Sequence, residues 1–337
     1  MSTDSNLILE HVVCDLCGQD DAALVTISSD HEHVVPGEFQ VVHCQQCGLY
    51  YLNPRPTADT IGQCYPGDYY AYSSSADQRG NLSLKKRVKR LIRSHQTLSS
   101  VAKHIAPLRH AAEDSDIADD VHEWIKPGNV LDIGCGAGAF LDAMRENGWT
   151  TYGIEPSAGA AAAACAKGHA VFCQSATEPV PEELARYAFD LVLMSHSLEH
   201  VHSPTQALAN LRPLLKQVSG RLIIEVPNVE SLLTYWFGEL GLAFDSPRHL
   251  YLFSPETLRK MLEKTGFAVH SMRHVSRPMQ FVRCLQLLSE TATPGAWRKA
   301  ADEALKDREL LQAFESLAKF ATGKRMGGAI RVVATRR

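Results

Sequence analysis

Three observations predict an α/β fold for this chain of 337 residues: a doubly wound, seven-stranded sheet behind a small cysteine-bearing module. First, the apolar segment Asn129-Val130-Leu131-Asp132-Ile133 runs into glycines at 134, 136 and 138 and then into a helical pattern from Phe140 through Met144. Second, apolar strand-like segments alternate with helix-forming ones over the following hundred residues or so. Third, two Cys-x-x-Cys pairs stand near the N-terminus. Glycines after a strand let the backbone turn sharply and lie close to a ligand, and the next helix aims its N-terminal amides at that turn. At the first strand of a doubly wound sheet, such a turn is a nucleotide-type cofactor site.

Which cofactor is decided by the residues around the turn. A dinucleotide site needs Gly-x-Gly-x-x-Gly/Ala, which Gly134, Gly136 and Ala139 satisfy. It must also cradle a pyrophosphate, and the carboxylate of Asp132, two residues before the first glycine, would repel one. Asp-x-Gly-x-Gly-x-Gly suits a cationic ligand without phosphates. A second apolar strand, Tyr152-Gly153-Ile154, ends in Glu155, 23 residues after Asp132. A carboxylate there can accept both hydroxyls of a ribose, which either cofactor carries.

On these residues the sequence resembles the class I S-adenosylmethionine-dependent methyltransferases. The resemblance implies a Rossmann-like sheet in which the loop of Asp132, Gly134, Cys135, Gly136, Gly138 and Phe140 wraps the methionine part of the cofactor. Asp132 would orient its amino group, directly or through water. Glu155 and Pro156 would sit at the ribose, and Ser195 and His196 near the cofactor. The enzyme alternative is a nicotinamide-dependent oxidoreductase, which Asp132 disfavours.

The remaining elements follow the same order. An alanine-rich helix spans about 157–167, and Ala170–Cys173 is the third strand. Phe189–Met194 is the fourth, an almost unbroken apolar run of the kind buried parallel strands show. It ends in Ser195-His196-Ser197-Leu198-Glu199-His200-Val201, and the family has a similar Leu-Glu-His-Val run there. A helix at about 204–216 and a fifth strand, Arg221–Val226, come next. His270–Val275 reads as the sixth strand and Gly327–Thr335 as the seventh, antiparallel in the family.

Cys14-Asp15-Leu16-Cys17-Gly18 and Cys44-Gln45-Gln46-Cys47-Gly48 are two cysteine knuckles, each followed by glycine. Four thiolates so paired can close a tetrahedral Zn²⁺ shell, and the glycines let backbone amides turn toward the sulfurs. With no open coordination position, a zinc ion at Cys14, Cys17, Cys44 and Cys47 would be structural. The 26 residues between the knuckles leave room for a β-hairpin at about 22–42. The rival readings are an iron site or a disulfide pair. Cys64, Cys135, Cys165, Cys173 and Cys284 are expected as free thiols.

After the second knuckle come Leu52-Asn53-Pro54-Arg55-Pro56 and a tyrosine cluster, Tyr65-Pro66-Gly67-Asp68-Tyr69-Tyr70. This arrangement is similar to bacterial methyltransferases that act on sugars, nucleotide-linked sugars and other small metabolites. Sugar C-methyltransferases of that group carry a sizeable further C-terminal domain, whereas 67 residues follow position 270 here, so O-methylation is favoured. The expected division is a zinc-ribbon-like module at 1–72, a helical linker at 73–125, and a methyltransferase domain at 126–337 with a helical insertion at about 280–325.

Composition sets wider bounds. Charged residues make up 21% and hydrophobic ones 45%, ordinary for a globular protein, and a net charge of −4 gives no field that would draw the chain to nucleic acid. A polar N-terminus and nine cysteines point to the cytoplasm, and no apolar run approaches the ~20 residues of a membrane span. One basic helix stands out, with Arg79, Lys85, Lys86, Arg87, Lys89, Arg90 and Arg93 flanking Leu84, Val88, Leu91 and Ile92. It is a solvated linker face, or a dock for an anionic acceptor or membrane surface. An acidic cluster at 113–123 follows it. A binding module that uses the knuckles and this helix on nucleic acid or a protein is the non-enzymatic alternative.

Methyl transfer from a sulfonium is an in-line displacement, in which alignment and desolvation matter most. For a hydroxyl acceptor a general base helps, and histidine suits neutral pH. His249, His200 and Glu199 are the candidate catalytic residues. His249 lies in Asp245-Ser246-Pro247-Arg248-His249-Leu250-Tyr251-Leu252-Phe253-Ser254-Pro255, a loop entering a helix with Ser254 as N-cap and Pro255 at its first position. Arg248 is a candidate partner for an acceptor phosphate or carboxylate. Leu232-Leu233-Thr234-Tyr235-Trp236-Phe237 is a lid, a homo-oligomer contact or a core helix.

Overall fold

The structure, a computed structural model, describes residues 7–32, 34–65, 125–291, 296–307 and 326–337, together with positions 117, 121, 309, 313, 314 and 320. The basic helix at 79–93 and the acidic residues at 113–123 lie outside the described residues.

In the N-terminal module, β1 (Leu9–Glu10) pairs antiparallel with β5 (Arg55–Pro56). The expected hairpin is present as β2 (Ala22–Ser29) and β3 (Glu38–Cys44), with β4 (Tyr50–Leu52) beside β3. From there the larger sheet begins with β6 (Asn129–Ile133), which leads into α1 (Ala139–Glu146). Next come β7 (Thr150–Ile154), α2 (Ala158–Ala166), β8 (Ala170–Phe172), α3 (Glu182–Ala185), β9 (Leu191–Ser195) and α4 (Pro204–Leu211). The chain continues through β10 (Arg221–Pro227), α5 (Leu232–Phe237), β11 (Tyr251–Leu252), α6 (Pro255–Lys264) and β12 (Phe267–Val275). It closes with α7 (Pro278–Thr291), α8 (Ala296–Ala304) and β13 (Ala329–Arg336).

The seven-stranded order is β12-β13-β10-β9-β6-β7-β8. Strands β10, β9, β6, β7 and β8 run parallel, while β13 lies antiparallel between β10 and β12. The chain leaves β6 toward β7 and β8, then returns to β9 on the other side. The switch point therefore falls at the carboxyl ends of β6 and β9, where open α/β sheets bind ligands.

Side chains alternate across this sheet with period two. Val130, Leu191, Leu193, Ile223 and Val333 pack on one face with Met144 and Trp149. Leu131, Ile133, Val192, Met194, Leu222 and Ile224 pack on the other, in a cluster that continues through Leu258 and Met261 into Leu49, Tyr51 and Phe39 of the module. Module and sheet thus share one apolar core. They also share backbone pairing, because β11 joins the small sheet, whose order is β11-β4-β3-β2.

Two local readings change. The helix expected to 216 ends as α4 at Leu211, where Pro213 and a 3₁₀ turn at Arg212–Leu214 follow. No residue of α5 is buried, and Tyr235 is 80% exposed, so it is not a core helix. Instead Trp236 and Phe237 rest their rings on Phe314 and Phe281. Ser254 caps α6 as expected, in a capping box with Thr257.

Arg248 departs most from expectation. It is fully buried, and its donors all point inward. Nη1 donates to the Cys64 carbonyl at 2.9 Å, and Nη2 to Asp30 at 2.9 Å and Asp245 at 2.5 Å. Nε also donates to Asp245, at 3.0 Å. Four of its five N–H groups are spent within the protein and the side chain is fully buried, so it does not face an acceptor's phosphate or carboxylate. Asp30 in turn accepts the backbone N–H groups of Val34 and Val35 between β2 and β3, so Arg248 ties that hairpin to the His249 loop. Removing one partner of a buried ion cluster leaves the others charged and unpaired, at a cost of about 3–5 kcal/mol. Arg248→Met is expected to lower the unfolding free energy by about that amount, measured by urea denaturation.

Candidate functional site

A cavity of about 420 Å³ opens at the switch point, within the size range of small-molecule sites. Its floor is Ile133, Gly134, Ile154 and Met194, at the ends of the parallel strands. Glu155, Pro156 and Ser157 form one side, His196, Ser197 and His200 another, and Ser175–Glu178, after β8, a third. The module closes it with Ala58, Ile61, Gly62 and Tyr65.

The glycine turn organises this floor. Gly134 has φ +75°, and a Cβ there would stand 2.8 Å from the Cβ of Ser197, so the close approach of the β6 and β9 loops requires glycine. The Gly136 N–H donates to Glu155 Oε2 at 2.8 Å and the Ser157 N–H to Oε1 at 2.9 Å. Each oxygen keeps a lone pair, and burial raises the carboxyl's pKa against the pull of those two donors. Asp132 is buried behind the turn and pushed up to about 7, by burial first and then by the charge of Glu155.

Of the ten cofactor candidates, Gly134, Glu155, Pro156 and His196 line the cavity. Asp132 and Ser195 stand at its strand ends, and Gly136 acts through the Glu155 carboxylate. Cys135 turns under β7, where Gly153 leaves space for its sulfur. Gly138 takes φ +80° as the N-cap of α1, and Phe140 packs against the apolar cluster of Met144 and Trp149.

Two carboxylate–imidazole contacts crowd the β9 end. His196 has φ +52°, the sole non-glycine residue with positive φ among the described residues, a strain of the kind functional sites hold. Its ring lies between Glu199 (Nδ1 to Oε1, 3.4 Å) and Glu225 (Nε2 to Oε1, 3.3 Å). Burial alone would depress this imidazole, but the two carboxylates outweigh it and hold it at about 9. Glu225 is buried in the middle of β10 and is also paired with Arg331 and Arg277, each at 2.7 Å. These cations and His196 hold its carboxyl far below the usual range despite burial.

The catalytic candidates do come together. One nitrogen of His200, one of His249 and one carboxylate oxygen of Glu199 lie within 4.8 Å of one another. The two imidazole rings meet edge-on, 4.7 Å between centroids. Burial, then the neighbouring His249, lowers His200 to about 4. His200 reaches the cavity, while His249 stands behind it, its Nδ1 3.0 Å from the Ala243 carbonyl.

The four knuckle cysteines form a second centre. Each knuckle turns back on itself through a glycine N–H, Gly18 to the Cys14 carbonyl at 2.7 Å and Gly48 to the Cys44 carbonyl at 3.0 Å. The sulfurs of Cys14 and Cys47 are 3.4 Å apart and those of Cys17 and Cys44 3.5 Å apart, all four lying within 4.8 Å. A tetrahedral cation ~2.3 Å from each sulfur needs edges of about 3.8 Å, so the cage has the right size. All four are free thiols, with no disulfide. Burial raises Cys14 and lifts Cys47 to about 11, while backbone N–H groups of Cys47 and Gln46 outweigh burial at Cys44 and lower it.

Some of the site escaped sequence reasoning. Ser175–Glu178 could have been found from topology, since it follows a parallel strand at its carboxyl end. Glu225, an acid inside the apolar run Leu222–Val226, was a visible signal of a buried ion pair. Ile61 carried none and Tyr65 only its membership of the tyrosine cluster, because their place depends on how the module packs.

The fold and cavity define a cofactor-binding enzyme of the doubly wound class. Residues 108–272 match the family described as methyltransferase domain. That segment is a methyltransferase domain. Among solved structures, an S-adenosylmethionine-dependent methyltransferase from Archaeoglobus fulgidus is 22% identical, with 65% of this chain and 93% of that one covered and a TM-score of 0.43. A Thermotoga maritima S-adenosylmethionine-dependent methyltransferase is 19% identical over 74% of this chain and 97% of its own, TM-score 0.43. Magnesium protoporphyrin IX methyltransferase from Synechocystis is 17% identical over 79% and 91%, TM-score 0.41. No curated protein matches the chain. Among the described residues, no helix is long and apolar enough to cross a membrane.

The raised pKa of His196 sets a pH dependence. A group whose folded value lies above its unfolded ~6.5 stabilises fully below that pH, and the stabilisation is lost as pH rises through about 9. Wild type is expected to lose stability relative to His196→Gln between pH 7 and 10, followed by urea denaturation across that range.

Proposed function

We propose that the protein transfers a methyl group from S-adenosylmethionine to the oxygen of a small hydroxylated acceptor, a sugar or sugar-linked metabolite. The observation that carries this reading is the juxtaposition of the Glu155-sided cavity with the Glu199–His200–His249 cluster at the end of β9. When bound, S-adenosylmethionine supplies an electrophilic methyl on a sulfonium. Glu155 accepts hydrogen bonds from the ribose hydroxyls on its remaining lone pairs. Asp132 offers negative charge to the cationic amino acid end, and Ser175–Glu178 receive the base. The buried Ser197 hydroxyl has no partner among the described residues, which suits a polar ligand in the cavity.

The acceptor enters beside Tyr65 and His200, and its hydroxyl loses a proton at the Glu199–His200–His249 cluster. The acceptor oxygen forms its bond to the methyl carbon as the C–S pair returns to sulfur. The products are the methylated oxygen, a neutral thioether and one proton. The four thiolates of the module hold a structural Zn²⁺, which fixes β3 and β4 and through them the Tyr65 wall.

Three outcomes test this. Calorimetry should detect saturable binding of S-adenosylhomocysteine and none of NADH, weakened at least ~10-fold in Glu155→Ala, which loses a hydrogen-bonded charge. NADH binding alone would overturn the reading. Asp132, raised to about 7, ionises between pH 6 and 8. Cofactor binding should therefore tighten over that interval in wild type and stay flat in Asp132→Asn, whose unbound form gains stability above pH 7 because no buried charge forms. Stripping zinc with a chelator should lower the thermal midpoint by about 10 °C or more, restored by adding zinc back.

A further inference from the structure

Glu199 poses a problem that proton transfer alone leaves open. Its carboxylate is 1% exposed, and neither oxygen makes a hydrogen bond among the described residues. Buried carboxylates without donors are costly. The one cation in contact among the described residues, the His196 ring at 3.4 Å, is shared with Glu225.

The two neighbouring imidazoles do not supply the missing donor. His200 Nδ1 is 3.0 Å from the carbonyl of Arg248, and His249 Nδ1 is 3.0 Å from that of Ala243. Carbonyls only accept, so in both neutral rings the hydrogen sits on Nδ1 and the lone pair on Nε2. His249 Nε2 faces Glu199 Oε1 and Asp245 Oδ2, each at 4.0 Å, too far for a hydrogen bond. A ring nitrogen of each histidine and a carboxylate oxygen of Glu199 thus gather in one buried place, within 4.8 Å of one another. A ring that ligates metal through one nitrogen commonly donates its other N–H to a backbone carbonyl, which fixes tautomer and orientation. Both histidines are held in that way.

We propose that Glu199, His200 and His249 bind a divalent transition-metal cation beside the methyl-transfer cavity, and that its open positions hold two adjacent oxygens of the acceptor. Ligands ~2.1 Å from a cation lie about 3.0–3.4 Å apart, so the 4.0 Å gap closes with side-chain shifts well under ~1 Å. Two histidines and one carboxylate leave coordination positions open. His200 reaches the cavity wall, so those positions face the substrate space. A bound hydroxyl becomes more acidic and gives its proton to water, without a ring nitrogen as base. The acceptor class is then a vicinal diol or another chelating pair of oxygens. That last assignment rests on the O-methylation reading; the cation site does not.

The test is a titration of zinc-loaded protein with Mn²⁺, in which the thiolates are already filled and Mn²⁺ prefers nitrogen and oxygen ligands. Loss of the free-ion electron paramagnetic resonance signal counts the ions bound. One Mn²⁺ per chain is expected, weakened at least ~10-fold in Glu199→Gln and in His249→Ala, each checked for an unchanged unfolding midpoint. No saturable binding by wild type, or equal binding by both variants, overturns the proposal. If either variant unfolds, cadmium NMR of the wild type decides. Two resonances, one in the thiolate range and one in the nitrogen–oxygen range, support the site, and a thiolate resonance alone overturns it. S-adenosylhomocysteine titrated in parallel keeps the two readings apart. Its binding without Mn²⁺ sinks the cation and leaves methyl transfer standing, and Mn²⁺ binding without it does the reverse.

Discussion

Arg248 joins three parts of the chain that are distant in sequence: Asp30 between the module's hairpin strands, the Cys64 carbonyl at the end of the module, and Asp245 in its own loop. Its charge is fully removed from water, so the arrangement is stable only with every partner present. The adjoining residue is His249. A side chain whose backbone is anchored by such a neighbour has little freedom to wander. The same ion cluster shapes the cavity, because Tyr65 follows Cys64 directly.

A second buried network lies on the other side of His196. Glu225 collects Arg331 from β13 and Arg277 from the segment before α7, so the last strand of the sheet contributes charge to the site though it lies far along the chain. His196 is held in a left-handed backbone conformation between Glu225 and Glu199. Such strain persists where the surroundings over-determine it. Here the surroundings are two buried carboxylates that compete for one ring.

The parallel strands were legible in the sequence because a buried strand needs an apolar run and a doubly wound sheet needs helices between such runs. The glycine turn and Glu155 were legible for a related reason: a backbone that approaches a ligand closely excludes most side chains. The knuckles announced their cluster through spacing alone. Arg248 was misread because its sequence neighbours, Asp245 and His249, suggested an exposed polar loop, whereas its counter-charge at Asp30 lies 218 positions away. The module wall and the Asp15 cap on α4, where its carboxylate accepts the Thr205 N–H at 2.9 Å, were hidden for the same reason. Long-range polar partners leave no period in a sequence.

Strand β11 pairs only two residues with β4, Tyr251 with Tyr51 and Leu252 with Tyr50. His249 stands two positions before Tyr251, and alternation along a strand makes register a binary matter. A slip of one residue would exchange the inward and outward faces of Tyr251 and Leu252 and drag the His249 loop along the chain axis by about 3.3 Å. Aromatic packing of Tyr251 against Tyr51, and its hydroxyl bond to the His202 carbonyl, fix one choice. Insertions or deletions between Cys47 and Tyr51 would therefore act as displacements of the His249 loop, although they fall some two hundred residues before it.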